Sequence, residues 1–370
     1  MRLSLSSLLA LSTAGSVVSA RPSLPNPHEH QLLPRQDATQ YEAYLFAYFT
    51  GDTVAGEKIY FATSNGNNAL DWTELNNGQP YIESTQGTKG LRDPFIIRAQ
   101  DGSKAWLVAT DLSIGGGTIW PESYTFGSRY LEIWESEDLI NWGEQRHVLV
   151  SPPEAGMTWA PEAYFDETIG EYVVYWSSRT YPDTDPERTG PAYSRIWFAT
   201  TTDFNTFSEP QLWQDEGGPT RERIDSTVVR DDNGIYHRFT KSIGGEGPGG
   251  CVDIVHEKSA NLRATLEDWE VVVSCIGRKN GFADIEGPDA FHTNVGDVNG
   301  DKWFLFVDEF GGRGYLPLET TDINNPNWTL SASYNLPRSP RHGTVLPITA
   351  AELAALQKIG QQPNGTYPQL

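Results

Sequence analysis

Short runs of alternating hydrophobic and polar residues, separated by turns, follow one another along most of this chain. One recurring unit is an apolar run, a Ser/Thr-Asx turn and then an aromatic residue. That aromatic residue occurs five times at intervals of 59 to 70 residues, as Trp72, Trp142, Phe207, Trp269 and Trp328. A second unit, a turn followed by an aromatic-rich run, alternates with the first at residues 43–50, 104–110, 171–176, 233–240 and 301–308. Alternation bounded by Gly, Asp and Asn is typical of hairpin strands.

The repeat predicts the fold class. A unit of roughly 60 residues has room for four short strands, and five such units predict an all-β, five-bladed β-propeller over residues 41–349. Blade five takes its innermost strand from residues 342–346 and its other strands from residues 41–75, which leaves no open sheet edge. Residues 350–370 form a C-terminal tail. A helix is expected only there, over residues 350–359. Five matched repeats disfavour the alternative, a β-sandwich.

The first 40 residues predict export from the cell. Arg2 precedes a mainly apolar run over residues 3–18, and Val18-Ser19-Ala20 has the small residues of a cleavage site, so residues 1–20 are expected to be a secretory signal. Residues 21–40 are rich in Pro, His and Gln and are expected to form a propeptide or a disordered arm. No later run is long enough to span a membrane. The mature protein is therefore expected outside the cell.

Composition narrows the class of partner. The chain has 27 Lys and Arg against 49 Asp and Glu, a net charge of −22. Nucleic acids and anionic membranes bind basic surfaces, so we expect neither as a partner. Aromatic residues make up 12% of the chain, with 12 Trp, which suits a neutral oligosaccharide or polysaccharide as substrate. We expect a monomer.

Two further features suit a secreted glycoprotein. Cys251 and Cys275 lie beside neighbouring apolar runs and are expected to form one disulfide. Asn327-Trp328-Thr329 and Asn364-Gly365-Thr366 are acceptor sequences for N-glycosylation.

The candidate chemistry lies where each innermost strand begins. Innermost strands of a propeller line its central channel, so residues at their starts meet in space although they are far apart in sequence. These residues are four acids and one histidine, 56 to 69 positions apart: Asp93, Glu162, Asp225, Glu286 and His342.

Converging carboxylates repel one another, and an aromatic cleft desolvates them, so their pKa values should separate. Glycoside hydrolysis needs one protonated and one ionised carboxyl group. A wide channel favours carboxyl groups about 6.5–9.5 Å apart, the spacing of an inverting enzyme. Trp159 and Trp120 are expected to stack on a sugar ring.

Taken together, these motifs resemble those of glycoside hydrolase family 43. The resemblance rests on Arg92-Asp93-Pro94, Trp159-Ala160-Pro161-Glu162, Ile285-Glu286-Gly287-Pro288 and Arg341-His342-Gly343, and it covers residues 41–347. It implies a five-bladed propeller and inverting action on arabinosides, xylosides or galactans.

The resemblance also implies roles for single residues. Asp93 would be the general base and Glu286 the general acid. Glu162 would raise the pKa of that acid and orient it, although the family usually has Asp at this position. His342 would hold calcium or another cation in the channel, while the chemistry itself requires no cofactor. For Asp225, substrate binding and a structural role both stay open.

We therefore expect a secreted, exo-acting, inverting glycosidase, an α-L-arabinofuranosidase that acts on plant cell-wall side chains. The exo expectation rests on insertions at residues 115–127, 179–193 and 244–250, which could wall the cleft into a pocket. β-Xylosidase, β-galactanase and galactofuranosidase activities are alternatives within the family. A propeller that binds glycans without cleaving them is the alternative from another class.

Overall fold

The computed structural model describes residues 39–359. The predicted signal segment, most of the predicted arm at residues 21–40 and the acceptor sequence at Asn364 lie outside this range. Within it the chain forms five four-stranded antiparallel sheets, and the prediction of an all-β, five-bladed propeller is confirmed. No helix in the described range is both long and apolar enough to cross a membrane.

Four blades are continuous in sequence, and each runs from its innermost strand outward. Blade one consists of β4 (Leu91–Arg98), β5 (Ala105–Asp111), β6 (Tyr130–Ser136) and β7 (Arg146–Leu149). Blade two consists of β8 (Trp159–Asp166), β9 (Glu171–Arg179), β10 (Ser194–Thr201) and β11 (Gln211–Gln214). Blade three consists of β12 (Glu222–Arg230), β13 (Tyr236–Ile243), β14 (Ile254–Ser259) and β15 (Glu270–Val273). Blade four consists of β16 (Glu286–His292), β17 (Trp303–Glu309), β18 (Gly314–Thr320) and β19 (Thr329–Leu330).

Blade five joins the two ends of the propeller, as the sequence predicts. Its innermost strand is β20 (Gly343–Ile348), followed outward by β1 (Ala43–Tyr48), β2 (Tyr60–Ser64) and β3 (Trp72–Glu74). Strand β20 pairs with β1 from Gly343 opposite Tyr48 to Ile348 opposite Ala43. This pairing hydrogen-bonds the inner edge of the N-terminal strands, so that edge is not exposed.

Helices between residues 39 and 359 are few and short. They are α1 (Trp120–Thr125), α2 (Ile276–Lys279) and α3 (Ala350–Leu356), with 3₁₀ turns at Asn76–Gly78, Pro248–Gly250 and Leu266–Asp268. The tail helix α3 begins at a capping box in which Thr349 and Glu352 satisfy each other's backbone N–H groups. Arg98 of blade one pairs with Glu352 at 2.8 Å and holds α3 against the propeller.

The hydrophobic core is divided into five clusters, one between each pair of adjacent blades. Each aromatic residue of the sequence repeat packs in a different cluster: Trp142, Trp328, Trp72, Phe207 and Trp269. The repeat therefore records the packing of one blade on the next.

The five innermost strands surround one axis. Strand β4 packs against β8, β8 against β12, β12 against β16, β16 against β20, and β20 against β4. Side chains at the starts of these strands therefore face a common channel, as the sequence predicts.

Candidate functional site

Four innermost strands share one irregularity close to their first residues. The pairing of β4, β8, β12 and β16 with the next strand shifts register there, as at a β-bulge. One residue at each shift adopts a positive φ between 48° and 55°: Asp93, Ala160, Asp225 and Gly287. Asp tolerates this left-handed conformation better than most residues, and bulges redirect the side chains around them.

These four residues, which we call the bulge residues, show which positions are equivalent in different blades. The equivalences differ from those expected from the sequence. Asp93 and Asp225 are bulge residues, and Glu286 immediately precedes one. Glu162 instead lies two residues after its bulge residue, as Asp289 does on β16. The five candidates are thus not all at the same repeat position.

A cavity of about 490 Å³ opens where Asp93, Asp225 and Glu286 meet. Trp120 and Trp159 lie in its wall, so these five predicted residues come together at one site. Its described lining includes neither Glu162 nor His342.

The Asp93 carboxylate is held in its ionised form. Burial opposes ionisation, but His342, then Arg92 and the Thr110 hydroxyl, outweigh it and lower the Asp93 pKa. Thr110 Oγ1 donates to Asp93 Oδ2 at 2.9 Å and accepts the Ala160 N–H at 2.8 Å. His342 Nδ1 lies 3.6 Å from Asp93 Oδ1.

Glu286 has the opposite tendency. Burial, followed by the negative charges of Asp225 and Asp308, raises the pKa of Glu286 to about 8, against opposing effects of Lys241 and Arg341. Arg341 Nη2 lies 3.8 Å from Glu286 Oε1. One cavity therefore contains an ionised carboxylate and a carboxyl group that stays protonated at neutral pH, which suits paired base and acid chemistry.

Asp225 is the acid that neighbours Glu286. Its Oδ2 accepts the Gly287 N–H at 3.1 Å, and its own N–H donates to Ser177 Oγ at 3.0 Å. Burial raises the pKa of Asp225, His342 lowers it, and Asp93 raises it further. From the sequence, Glu162 was expected to raise the Glu286 pKa, whereas in the structure Asp225 is the acid that adjoins Glu286.

Glu162 is buried deeper in the channel. Burial raises its pKa to about 7, although His342, Thr227 and Tyr175 favour the ionised form. Tyr175 donates to Glu162 Oε2 at 3.3 Å, and Oε1 has no hydrogen-bond partner. His342 Nε2 lies 3.9 Å from that oxygen, which is too far for a hydrogen bond.

The carboxylates around His342 suit a protonated imidazole better than a calcium site. Both ring nitrogens face carboxylates, of Asp93 and Glu162, and these contacts raise the His342 pKa well above its ordinary value despite burial. Calcium prefers six to eight oxygen ligands, and this histidine offers none. The channel cation implied by the resemblance stays a prediction.

Of the three insertions predicted to wall the site, the one at residues 115–127 contributes to the described cavity lining, and those at residues 179–193 and 244–250 do not. The insertion at residues 115–127 contains α1 with Trp120, whose ring lies 6.0 Å from that of Trp159 at 79°. Buried Glu57 anchors the start of this insertion by accepting hydrogen bonds from Ser113, Ile114 and Gly115. The predicted disulfide between Cys251 and Cys275 is present and lies next to Val252 of the cavity wall.

Sequence reasoning missed several wall residues. Tyr124 lies within a noted insertion and packs on Trp159 with ring centroids 4.7 Å apart. Lys241 is 2% exposed and donates to the Ile285 carbonyl at 2.7 Å, beside Glu286. Lys241 directly follows the aromatic-rich run at residues 233–240, and that position was the available signal. Asp52, Asp284 and Phe310 have no comparable signal.

Comparison with known proteins adds the family. Residues 39–354 match the profile of a family related to glycosyl hydrolase family 43 and described as a probable glycosyl hydrolase domain. The chain is 32% identical over 361 residues to an α-L-arabinofuranosidase of Bifidobacterium longum subsp. longum, with 88% of this chain and 32% of that protein covered. The chain thus spans about a third of that relative's length.

Solved structures of other proteins resemble this fold. An endo-1,4-β-xylanase from Bacteroides thetaiotaomicron superposes with a TM-score of 0.52 and 14% identity, covering 83% of this chain and 99% of that one. At this identity the likeness concerns the architecture alone.

Proposed function

This chain belongs to the family of probable glycosyl hydrolases related to family 43, and from that premise we propose that it is a secreted, inverting glycosidase that releases α-L-arabinofuranosyl groups from plant cell-wall polysaccharide. The main support for this proposal is that the Asp93 pKa is lowered and the Glu286 pKa is raised, while both residues line one aromatic-walled cavity.

The proposed reaction is a single displacement at the anomeric carbon. Glu286 donates its proton to the glycosidic oxygen while the bond from that oxygen to the anomeric carbon breaks. Asp93 accepts a proton from a water molecule whose oxygen forms the new bond to the same carbon from the opposite face. One bond replaces another, and the product has the inverted configuration.

We assign the task of keeping Glu286 protonated to Asp225 instead of Glu162. Asp225 is the carboxylate with the largest influence on the Glu286 pKa, ahead of Asp308. The hydrogen bond that the Gly287 N–H donates to the Asp225 carboxylate also fixes the strand next to Glu286. Glu162 is proposed to position His342, which in turn faces Asp93.

The substrate proposal combines chemistry with similarity. A net charge of −22 and a cavity lined by acids favour an uncharged sugar. Trp120 and Trp159 offer apolar faces for a ring. The arabinofuranosyl group comes from the name of the Bifidobacterium relative, and the wall built by the insertion at residues 115–127 supports release from chain ends.

Secretion and a monomeric state are further proposals. The disulfide between Cys251 and Cys275 is of a kind that persists in oxidising compartments. Asn327 is exposed in the turn before β19, where a glycan can be attached. Size-exclusion chromatography and N-glycosidase treatment of the protein recovered from culture medium test both proposals.

A panel of nitrophenyl glycosides tests the activity: α-L-arabinofuranoside, β-D-xyloside, β-D-galactoside and β-D-galactofuranoside. We expect turnover of the arabinofuranoside with an inverted anomer in proton NMR, and a loss of roughly 10³-fold in Asp93→Asn. Asn is preferred to Ala because Asp93 has a φ of 48°, which Asn tolerates.

Each other outcome of the panel has a defined meaning. Turnover of another glycoside would replace the sugar and keep the reaction class. A retained anomer would contradict single displacement. An inactive panel together with undigested arabinan and arabinoxylan would leave the glycan-binding alternative.

A further inference from the structure

A second cluster of ionisable groups lies in blade one, apart from the site described above. Asp111 is on β5, Glu132 on β6 and His147 on β7. Glu132 pairs with Ala109 on one side and with His147 on the other. Because side chains alternate along a strand, Asp111 shares the face of Ala109, so all three side chains project from one face of the blade. One ligand atom from each lies within 4.8 Å of the others.

This face is separate from the glycosidase site. Thr110, the neighbour of Asp111, projects from the opposite face and donates to Asp93. Asp111 and His147 open instead on a different cavity of about 390 Å³, whose wall also contains Arg129 and Glu122. Leu112 lies in the walls of both cavities and separates them.

Neighbouring residues orient the two buried carboxylates. Glu132 is fully buried, and its carboxylate faces His147 Nδ1 at 2.5 Å on one oxygen and Gln145 Nε2 on the other. Asp111 is 2% exposed, and its Oδ1 accepts both the N–H and the hydroxyl of Thr88 at 2.7 Å. In the described part of the chain, no hydrogen bond is formed by Asp111 Oδ2.

The space beside that free oxygen is kept open by a glycine. Gly87 has a φ of +54°, and a Cβ at this position would lie 2.2 Å from Asp111 Oδ2. No side chain larger than hydrogen fits there. The backbone thus forms a cradle next to a carboxylate oxygen of Asp111 that accepts no hydrogen bond within the described part of the chain.

The charges at the cluster do not balance. Two carboxylates are almost completely buried, and of residues 39–359 only His147 forms an ion pair with either of them. Burying carboxylates without matching positive charge is costly, and bound cations are one way in which proteins meet that cost.

We propose that Asp111, Glu132 and His147 bind a divalent transition-metal ion, with Zn²⁺ as the preferred ion. One imidazole and two carboxylates form a ligand set that suits zinc, with a water molecule as fourth ligand, and lack the oxygen number that calcium prefers. Tetrahedral zinc would set the ligand atoms about 3.3 Å apart. The distance between His147 and Glu132 would therefore increase, and the longer distances among the three ligand atoms would decrease. Thr88 and Gln145 are the residues that would orient the carboxylates.

Isothermal titration of chelator-treated, full-length protein with ZnCl₂ tests the proposal, with CaCl₂ as comparator. We expect one zinc ion per chain at this cluster and an affinity weaker by roughly tenfold or more in Glu132→Gln, His147→Gln and Asp111→Asn. Asp111→Asn keeps an oxygen for Thr88 and is the variant least disturbed in folding. Thermal unfolding in EDTA checks that each variant folds.

Two control variants locate the ion. His292→Gln removes a histidine from an exposed pair with Asp301 at 2.7 Å, and His342→Gln removes the histidine of the central channel. Both should keep the cluster's zinc affinity. Crystals soaked in zinc should show an anomalous peak about 2.0–2.2 Å from all three ligand atoms.

Several outcomes would overturn the proposal. No zinc binding would leave the cluster as a hydrogen-bonded ion pair between His147 and Glu132. Binding that is lost only in His342→Gln would put the ion in the channel, and binding weakened equally in His292→Gln would make it a surface effect. Because the readout is metal binding, failure here leaves the proposed glycosidase activity untouched.

Discussion

The central channel contains two groups of acids that differ in depth. The mouth carboxylates, Asp93, Asp225 and Glu286, line the cavity. The deep carboxylates, Glu162 and Asp289, lie two residues beyond the bulge residues of their strands and are 3% and 2% exposed. Two residues along a strand correspond to about 6.6 Å, and this step takes an acid from the cavity into the interior.

The two groups also differ in their neighbours. Lys241 and Arg341 stabilise charge on Glu286, and Arg92 helps to lower the pKa of Asp93. His342 stabilises charge on both deep carboxylates, and it does the same for Asp93 and Asp225 at the mouth, so this cation is shared by the two groups. Asp289 accepts the Val345 N–H at 3.0 Å, and burial followed by the charge of Glu162 raises its pKa. Depth thus decides whether an acid lines the cavity or lies buried in the channel.

Removing the proposed acid should have the largest effect. Glu286→Gln keeps the side-chain shape but has no proton to donate, so hydrolysis of arabinan oligosaccharides should fall by about 10²–10⁴-fold. Nitrophenyl glycosides should lose far less, because nitrophenolate leaves without protonation. Steady-state kinetics on both substrates measure the difference. Glu319→Gln on the outer side of the same blade, where Glu319 pairs with Lys302, is the matched control. Equal losses on both substrates would remove Glu286 from the role of acid.

An intermediate effect should separate Asp225 from Glu162. A neighbouring negative charge raises a carboxyl pKa, so Asp225→Asn should lower the Glu286 pKa from about 8 and move the alkaline limb of kcat/KM to lower pH. Activity at pH 8 should fall by roughly 5-fold, the result of a pKa lower by about one unit. Glu162→Gln should leave that limb in place. If Glu162→Gln moves the limb and Asp225→Asn does not, the assignment made from sequence is restored.

The smallest effect concerns stability. The pKa of Glu162 rises from 4.5 to about 7 in the folded chain, so the folded state binds the proton more tightly than the unfolded state does. The corresponding stability is present below pH 4.5 and is lost as the pH rises to 7. Glu162→Gln should flatten this dependence by about 2 kcal/mol between pH 5 and pH 7, measured by urea denaturation at both pH values.

Asp93→Asn supplies the contrast for that measurement. The Asp93 pKa is lowered in the folded chain, so its ionised form stabilises the fold above its ordinary pKa of 3.8 and this contribution disappears in acid. The mouth variant should therefore lose stability at neutral pH. A Glu162→Gln variant with the same pH dependence as the wild type would show that the deep carboxylate does not couple to folding.

Much of the site was predictable because the blades repeat. Asp93, Asp225, Glu286, Trp120 and Trp159 share a cavity as expected, since each lies at or near the start of an innermost strand or in an insertion beside one. Glu162 was aligned wrongly because the motifs of the different blades were aligned on their acidic residues. Pro94, Pro161 and Pro288 each follow a bulge residue directly, and matching the motifs by proline would have shown that Glu162 lies deeper.

The sequence by itself determined the five-bladed fold, the closure of blade five and the aromatic residue in each core between blades. These features follow from alternation and period, which are local properties of the chain. Only the tertiary structure decided which acid adjoins Glu286, how deep Glu162 lies, and that Asp111, Glu132 and His147 share a face. Electrostatic coupling depends on distance through space, and here that distance is set by bulges and by the packing of strands about 60 residues apart in sequence.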